Sequence, residues 1–238
     1  MALLSKAALL LAACCCWGGT WVFPGKGYHA GGGPVTVNPT GNASVTANTS
    51  NPITFSAVAS GTAAANRLSV VAINGRRRST LNTVTINGVS ASKATGVLLA
   101  GSGNMISEIW YAENPSGTTA DVVLNFSAAT SGAWEVALFE VKGATSAPTD
   151  TDSNSNASAS SLSISALTIP ADGVAIIASG NAGDTGAVTW TNATEYTDTN
   201  ITEIRASSAY TSTAGTPTIT CDGSNGNPYT IAGAAWGL

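Results

Sequence analysis

Five carboxylates stand in or beside apolar runs near the middle of the chain: Glu108, Glu113, Asp121, Glu135 and Glu140. Glycoside hydrolysis needs only two carboxyl groups held roughly 5 to 9 Å apart, and these residues could supply them. Their spacing selects no pair, and a solvated face or a carboxyl bonded to a turn is the simpler role for each. Nucleophilic hydrolysis needs a histidine base positioned by the scaffold. The single histidine, His29, sits instead among glycines. Asp150 and Asp152 lack the ligand pattern of a calcium loop. No dinucleotide, P-loop or HExxH signature occurs. Cys14, Cys15 and Cys16 are consecutive and Cys221 stands far away, so their side chains do not have the spacing of a zinc site. They are candidates for lipidation or for disulfides within or between subunits, with burial as small hydrophobes the plain alternative. The expectation is a chain that is not an enzyme and uses no cofactor or metal.

Binding chemistry is better supplied. Sugar-binding β domains display exposed aromatic rings beside amides and carboxylates, and Trp190, Tyr196 and Tyr210 are the candidates for contact with a host surface glycan. Trp190 has threonine on either side, which favours an exposed ring, whereas Trp110, Trp134 and Trp236 lie in apolar runs and belong to a core. Nucleic acid is not expected: Arg76 to Arg78 is one short basic run in a chain of net charge −4.

The elements that must position these groups are β-strands. Only 9% of the residues are charged, against roughly 25% in globular proteins generally, and hydroxyls and amides take the place of charge. Charge is uneven along the chain: no acid precedes Glu108, and Lys142 and Arg205 are the only basic residues after it. Ile53, Phe55 and Ala57 alternate with Thr54 and Ser56. Leu68 to Ile73 is a continuous apolar run closed by Asn74-Gly75, as in a strand buried on both faces. Thr83 to Ile86 precedes Asn87-Gly88, a strong hairpin signal. Further strands are expected at residues 96–100, 105–112, 122–126, 134–141, 161–165 (Leu162 and Ile164 alternating with serines), 174–179, 187–190, 203–210, 217–221 and 229–236. Residues 144–160 contain no large apolar side chain and read as a low-complexity crossover or linker. With no helical pattern outside residues 2–13, the fold class is all-β. The expectation is a jelly-roll-like antiparallel β-sandwich over residues 34–238, its two sheets drawing on both halves of the chain.

Glu108-Ile109-Trp110-Tyr111-Ala112-Glu113-Asn114-Pro115-Ser116-Gly117, the strand Ala120 to Phe126, and Val136 to Gly143 with its acidic residue before Lys142-Gly143 carry a resemblance. The pattern resembles a β-sandwich module recurring in bacterial surface proteins and tailed-phage structural proteins. Phe55 to Val71, including Asn66-Arg67, and Val84 to Val89 fit the same pattern, so the resemblance covers roughly residues 51 to 236. It implies a jelly-roll-like fold and a surface location, and it implies no reaction.

Residues 1–33 fall outside the resemblance. A short apolar segment with Lys6 near its start ends in Leu11-Ala12-Ala13-Cys14, which matches a lipobox cut before its cysteine. Its apolar run is far shorter than the roughly 20 residues needed to span a bilayer. Retained, the segment is an anchor or assembly element, with Leu3, Leu4, Leu9, Leu10, Leu11, Trp17, Trp21 and Phe23 as contact residues ahead of the Gly31 to Gly33 break. Two functional expectations follow. In the first, the chain is a structural component of a tailed-bacteriophage virion (capsid decoration, fibre or tail-associated), attached through its N-terminal segment to other virion proteins and forming a homo-oligomer on the virion surface. In the second, it is a bacterial surface lipoprotein acylated at Cys14, with an adhesive or carbohydrate-binding sandwich.

Overall fold

Leu68 to Ile73 and Trp134 to Val141 place apolar side chains on both faces of a strand, and a strand built that way needs a cover on each face. The computed structural model describes residues 33–48, 50–76, 80–101, 104–114, 116–129, 132–183, 186–202 and 204–238. It supplies both covers. The proposed contact residues Leu3, Leu4, Leu9, Leu10, Leu11, Trp17, Trp21 and Phe23, together with Cys14, Cys15 and Cys16, lie outside the described residues.

Along the chain the strands are β1 (Thr36–Asn48), β2 (Ile53–Ala59), β3 (Arg67–Arg76), β4 (Leu81–Ile86), β5 (Val89–Ser90), β6 (Ser92–Leu99), β7 (Met105–Glu113), β8 (Thr119–Phe126) and β9 (Gly132–Lys142). After them come β10 (Asp150–Ile164), β11 (Val174–Ala182), β12 (Thr189–Thr191), β13 (Thr194–Ile201), β14 (Ile204–Thr211) and β15 (Ile219–Trp236). The expected all-β class with antiparallel pairing is what the structure shows, arranged in three sheets. A central sheet runs β1-β9-β3-β7-β6, a small one β2-β8-β4-β5, and a third β10-β15-β11-β14-β13 with β12 added on β15. Residues 32–238 form one compact unit.

Both faces of the central sheet are buried. Val71, Ile73, Ile106, Trp110, Trp134, Val136 and Leu138 pack on Phe55, Val84, Val122 and Leu124 of the small sheet. Leu68, Val70, Ala72, Ile109, Phe139 and Val141 pack on Val174, Ile176, Ala234 and Trp236 of the third. Trp110, Trp134 and Trp236 are core residues, as their apolar runs indicate.

Three expectations need correction. The two halves of the chain do not share sheets: the central and small sheets use only residues before 143, and the third only residues after 149. Consecutive strands found partners locally, and the halves meet face to face. Asn74-Gly75, which closes the apolar run, does not end the strand: both residues belong to β3. Gly75 pairs with Trp134, and a Cβ there would lie 2.3 Å from the indole ring, so glycine gives the ring its space. Residues 144–160 are not a linker, because strand begins at Asp150. Backbone pairing with β15 orders this stretch without apolar burial.

The β10–β15 pair is also bent double. Asn154 Nδ2 donates to Ser163 O at 2.9 Å, although nine extended residues would span roughly 30 Å. Tyr229 OH likewise donates to Cys221 Sγ within the same strand β15. The fold-over lies at register shifts around Asn156 to Ser161, opposite Asp222 to Asn227. It brings Leu162, Ile164, Ile219 and Cys221 onto Ile177 and Ile231, covering the third sheet's outer face.

Candidate functional site

Across the middle of the seam between the central and third sheets runs a row of polar residues. Glu135 of β9 pairs in register with Asn74 of β3, and Asn74 with Ser107 of β7, so the three stand side by side facing the third sheet. Ser107 Oγ donates to Asn74 Oδ1 at 2.9 Å and lies 2.9 Å from Thr230 Oγ1 of β15. Asn74 Nδ2 donates to the carbonyl of Ser207 in β14 at 3.0 Å. Thr199 Oγ1 of β13 donates to Glu135 Oε1 at 2.8 Å. Apolar packing resumes on either side, with Ala72, Ala137 and Ile109 in one direction and Met105, Ala133 and Ile204 in the other.

Glu135 is fully buried, and its Oε2 has no hydrogen-bond partner among the described residues. Burial disfavours the charged carboxylate, and contacts with Thr199, Thr197 and Asn74 only partly offset that, leaving the carboxyl pushed up to about 7. The group can hold or release a proton near neutrality. The row encloses it from both sheets, which suits a structural titrating group rather than one presented to a substrate.

The remaining carboxylates hold structure. Glu108 accepts from Trp110 Nε1 at 2.7 Å and from Lys93 Nζ at 2.8 Å. Glu140 pairs with Lys142 at 3.0 Å. Buried Arg67 donates to the carbonyls of Asn114 (2.6 Å), Ser116 (2.8 Å), Gly117 (3.0 Å) and Ser60 (3.2 Å). The turn at the end of the Glu108–Gly117 motif is thus clamped by a guanidinium. Asp121 Oδ1 accepts from the Ala57 amide at 2.8 Å, where β2 takes a positive φ of 54° at its bulge. Asp150 and Asp152 accept from the amides of Thr168, Ser165 and Ala166 on the returning segment. Chiefly through the Thr168 bond, the Asp150 carboxyl is held below its usual range. Among the described residues no three of His, Cys, Asp and Glu converge on a metal position.

Trp190, Tyr196 and Tyr210 do not form one platform. Trp190 is half-buried with the third sheet's outer core, and its Nε1 donates to Ser207 Oγ at 2.9 Å. Tyr196 and Tyr210 belong to the opposite face, edge-on to Phe139 with ring centroids 5.2 and 6.3 Å away. Cys221 is a buried free thiol, and burial pushes it up to about 12, far from a reactive thiolate. Beside it on the outer face Arg205 is ion-paired with Asp198.

Sequence reasoning named Glu135 among five carboxylates but could not single it out. The signal available was its place between Trp134 and Val136 in a largely apolar run, where a charge has no water. Asn74 and Ser107 carried no signal of their own; register brings them to it. No protein family, curated protein or solved structure matches this chain.

Proposed function

We propose that this chain is a structural component of a tailed-bacteriophage virion: a stacked β domain displayed on the particle surface, attached to other virion proteins through residues 1–33 and arranged as a homo-oligomer. The observation that carries this reading is the use made of ionisable groups. Arg67, Glu108, Glu140, Asp150, Asp152, Asp198 and Arg205 each clamp a turn, a strand edge or a neighbouring side chain. Groups committed to internal bonds brace a fold, and in this reading the protein runs no reaction and needs no cofactor. Stacked, close-packed sheets give the stiffness that a particle surface requires. The resemblance of Glu108–Gly117 to a module of bacterial surface proteins and tailed-phage structural proteins supplies the context. Deleting residues 1–33 tests it: the domain left behind should fold and stay soluble but no longer co-assemble with its particle. Continued co-assembly would remove the attachment role.

One sequence feature favours a second reading. The lipobox match at Leu11 to Cys14 fits a bacterial surface lipoprotein acylated at Cys14, using the same domain for adhesion or glycan binding. Intact-mass measurement on the native protein separates the two, since a species starting at a lipidated Cys14 sinks the virion reading. Under the second reading Trp190→Ala should lower retention on a host-polysaccharide column, with Tyr196 and Tyr210 on the other face contributing separately.

A further inference from the structure

We propose that the seam between the central and third sheets is a pH-sensitive joint, closed while Glu135 carries its proton and loosened when that carboxyl ionises. The geometry concentrates the effect at one place. Residues 36–142 and 150–236 meet across this seam, and the seam's middle is the polar row, not continuous apolar packing. In that row Glu135 is the one ionisable member. Its neighbours Asn74, Thr197 and Thr199 are neutral, and Ser44 of β1 stands beside it in register.

The charged and titratable groups on the surrounding strands do not neutralise an ionised Glu135. From β13, Asp198 adds repulsion, and the Tyr196 phenol lies close enough that Glu135 helps to raise its own ionisation point, after burial. From β14, Arg205 is paired to Asp198. On β3, Arg76 follows Asn74 one row along the same face but is not among the groups that act on the Glu135 carboxyl, while Arg67 faces the opposite way into its carbonyl clamp. β1 and β2 carry no charged residue. An ionised Glu135 therefore keeps one oxygen, Oε2, buried with no hydrogen-bond donor among the described residues, a condition expensive enough to favour opening.

The sign follows from the raised proton affinity of the closed state. A carboxyl that titrates near 4.5 when the seam is open and about 7 when it is closed binds more protons closed. Opening is therefore least favourable in acid, rises between those values, and levels off above the higher one. Hydrogen exchange of seam amides in β13 and β14, corrected for intrinsic rates and run from pH 5 to 8, reads this directly. The opening constant should climb roughly five- to sevenfold per pH unit, to a total of about fortyfold between pH 5 and 7, then flatten. Glu135→Gln keeps the shape and should abolish the climb while leaving amides of the small sheet unchanged. A flat wild-type profile, or an undiminished climb in E135Q, overturns the proposal. Should the variant fail to fold, carbon-13 titration of the Glu135 carboxyl in the wild-type protein decides, and a midpoint in the ordinary glutamate range overturns it.

Discussion

Towards the small sheet, the central strands present Val71, Ile73, Ile106, Trp134, Val136 and Leu138, and what they meet is Phe55, Val84, Val122 and Leu124. Towards the third sheet the same strands present Ala72, Ile109 and Phe139, then Asn74, Ser107 and Glu135, then Met105 and Ala133. One face is held mainly by apolar area, with the Glu108–Trp110 bond and the Arg67 carbonyl clamp beside it. The other interrupts it with directional bonds that work only in one register, because each hydroxyl and amide must meet its counterpart across the seam. Hydrophobic packing tolerates a slide that keeps volume, whereas a shifted polar row leaves several buried groups unpaired. The first face carries more of the stability, and the second carries the alignment of the two halves.

Substitutions can break this contrast, beginning with the largest effect. Ile73→Ala on the apolar face should cost about 4 kcal/mol by leaving a cavity between two sheets; chemical denaturation of the purified protein measures it. On the polar face, Glu135→Gln should stabilise the protein by roughly 3 kcal/mol at pH 8 and by almost nothing at pH 4.5, since the wild type gives up stability as pH rises through that interval. Paired denaturation curves at the two pH values check sign and size together. Thr230→Val removes the hydroxyl that meets Ser107 and the Gly180 carbonyl, and should cost about 1.5 kcal/mol. Combined with Ser107→Ala, it should cost less than the two single changes added, because they share one bond. Smallest, Asp150→Ala should cost about 1 kcal/mol near neutral pH by freeing the Thr168 amide. Because the Asp150 carboxyl titrates low in the folded state, that difference should shrink as pH falls through the acidic range.

The strands legible in the sequence share a property. β3, β7, β9 and β11 bury both faces, and β2, β4 and β8 bury one, so apolar runs or alternation mark each of them. The strands that escaped, β1, β13 and all of β10 except its Leu162-Ile164 end, are edges of the central and third sheets. Their threonines, serines and asparagines leave little apolar pattern, and backbone bonds to an inner neighbour do the ordering. β12 and β14 were marked by shorter apolar stretches. The two expected segments at 217–221 and 229–236 became one strand, because Gly223 to Asn227, which looks like a turn, lies at the fold-over of the ribbon. The candidate site was legible only in part. Glu135 was one of five candidate carboxylates, and Asn74, Ser107, Thr199 and Thr230 come together with it through registers spanning 156 residues of sequence, which local pattern does not encode.

The place of β15 has a consequence for how the molecule is made. It follows β10 to β14 in sequence, yet it pairs with β10, β11 and β12 and so occupies the inside of the third sheet. During synthesis β10 emerges without the strand it will pair with, and β11 with one side open. The apolar face offered by Leu68, Val70 and Phe139 lacks the Ala234 and Trp236 part of its cover until residues 219–236 have left the ribosome. At about 5 to 20 residues per second that interval lasts roughly 5 to 20 seconds after β9 is complete. A growing chain of this protein therefore passes through a half-built stage with one oily sheet facing water, and that stage is where chaperone capture or mispairing between nascent chains would occur.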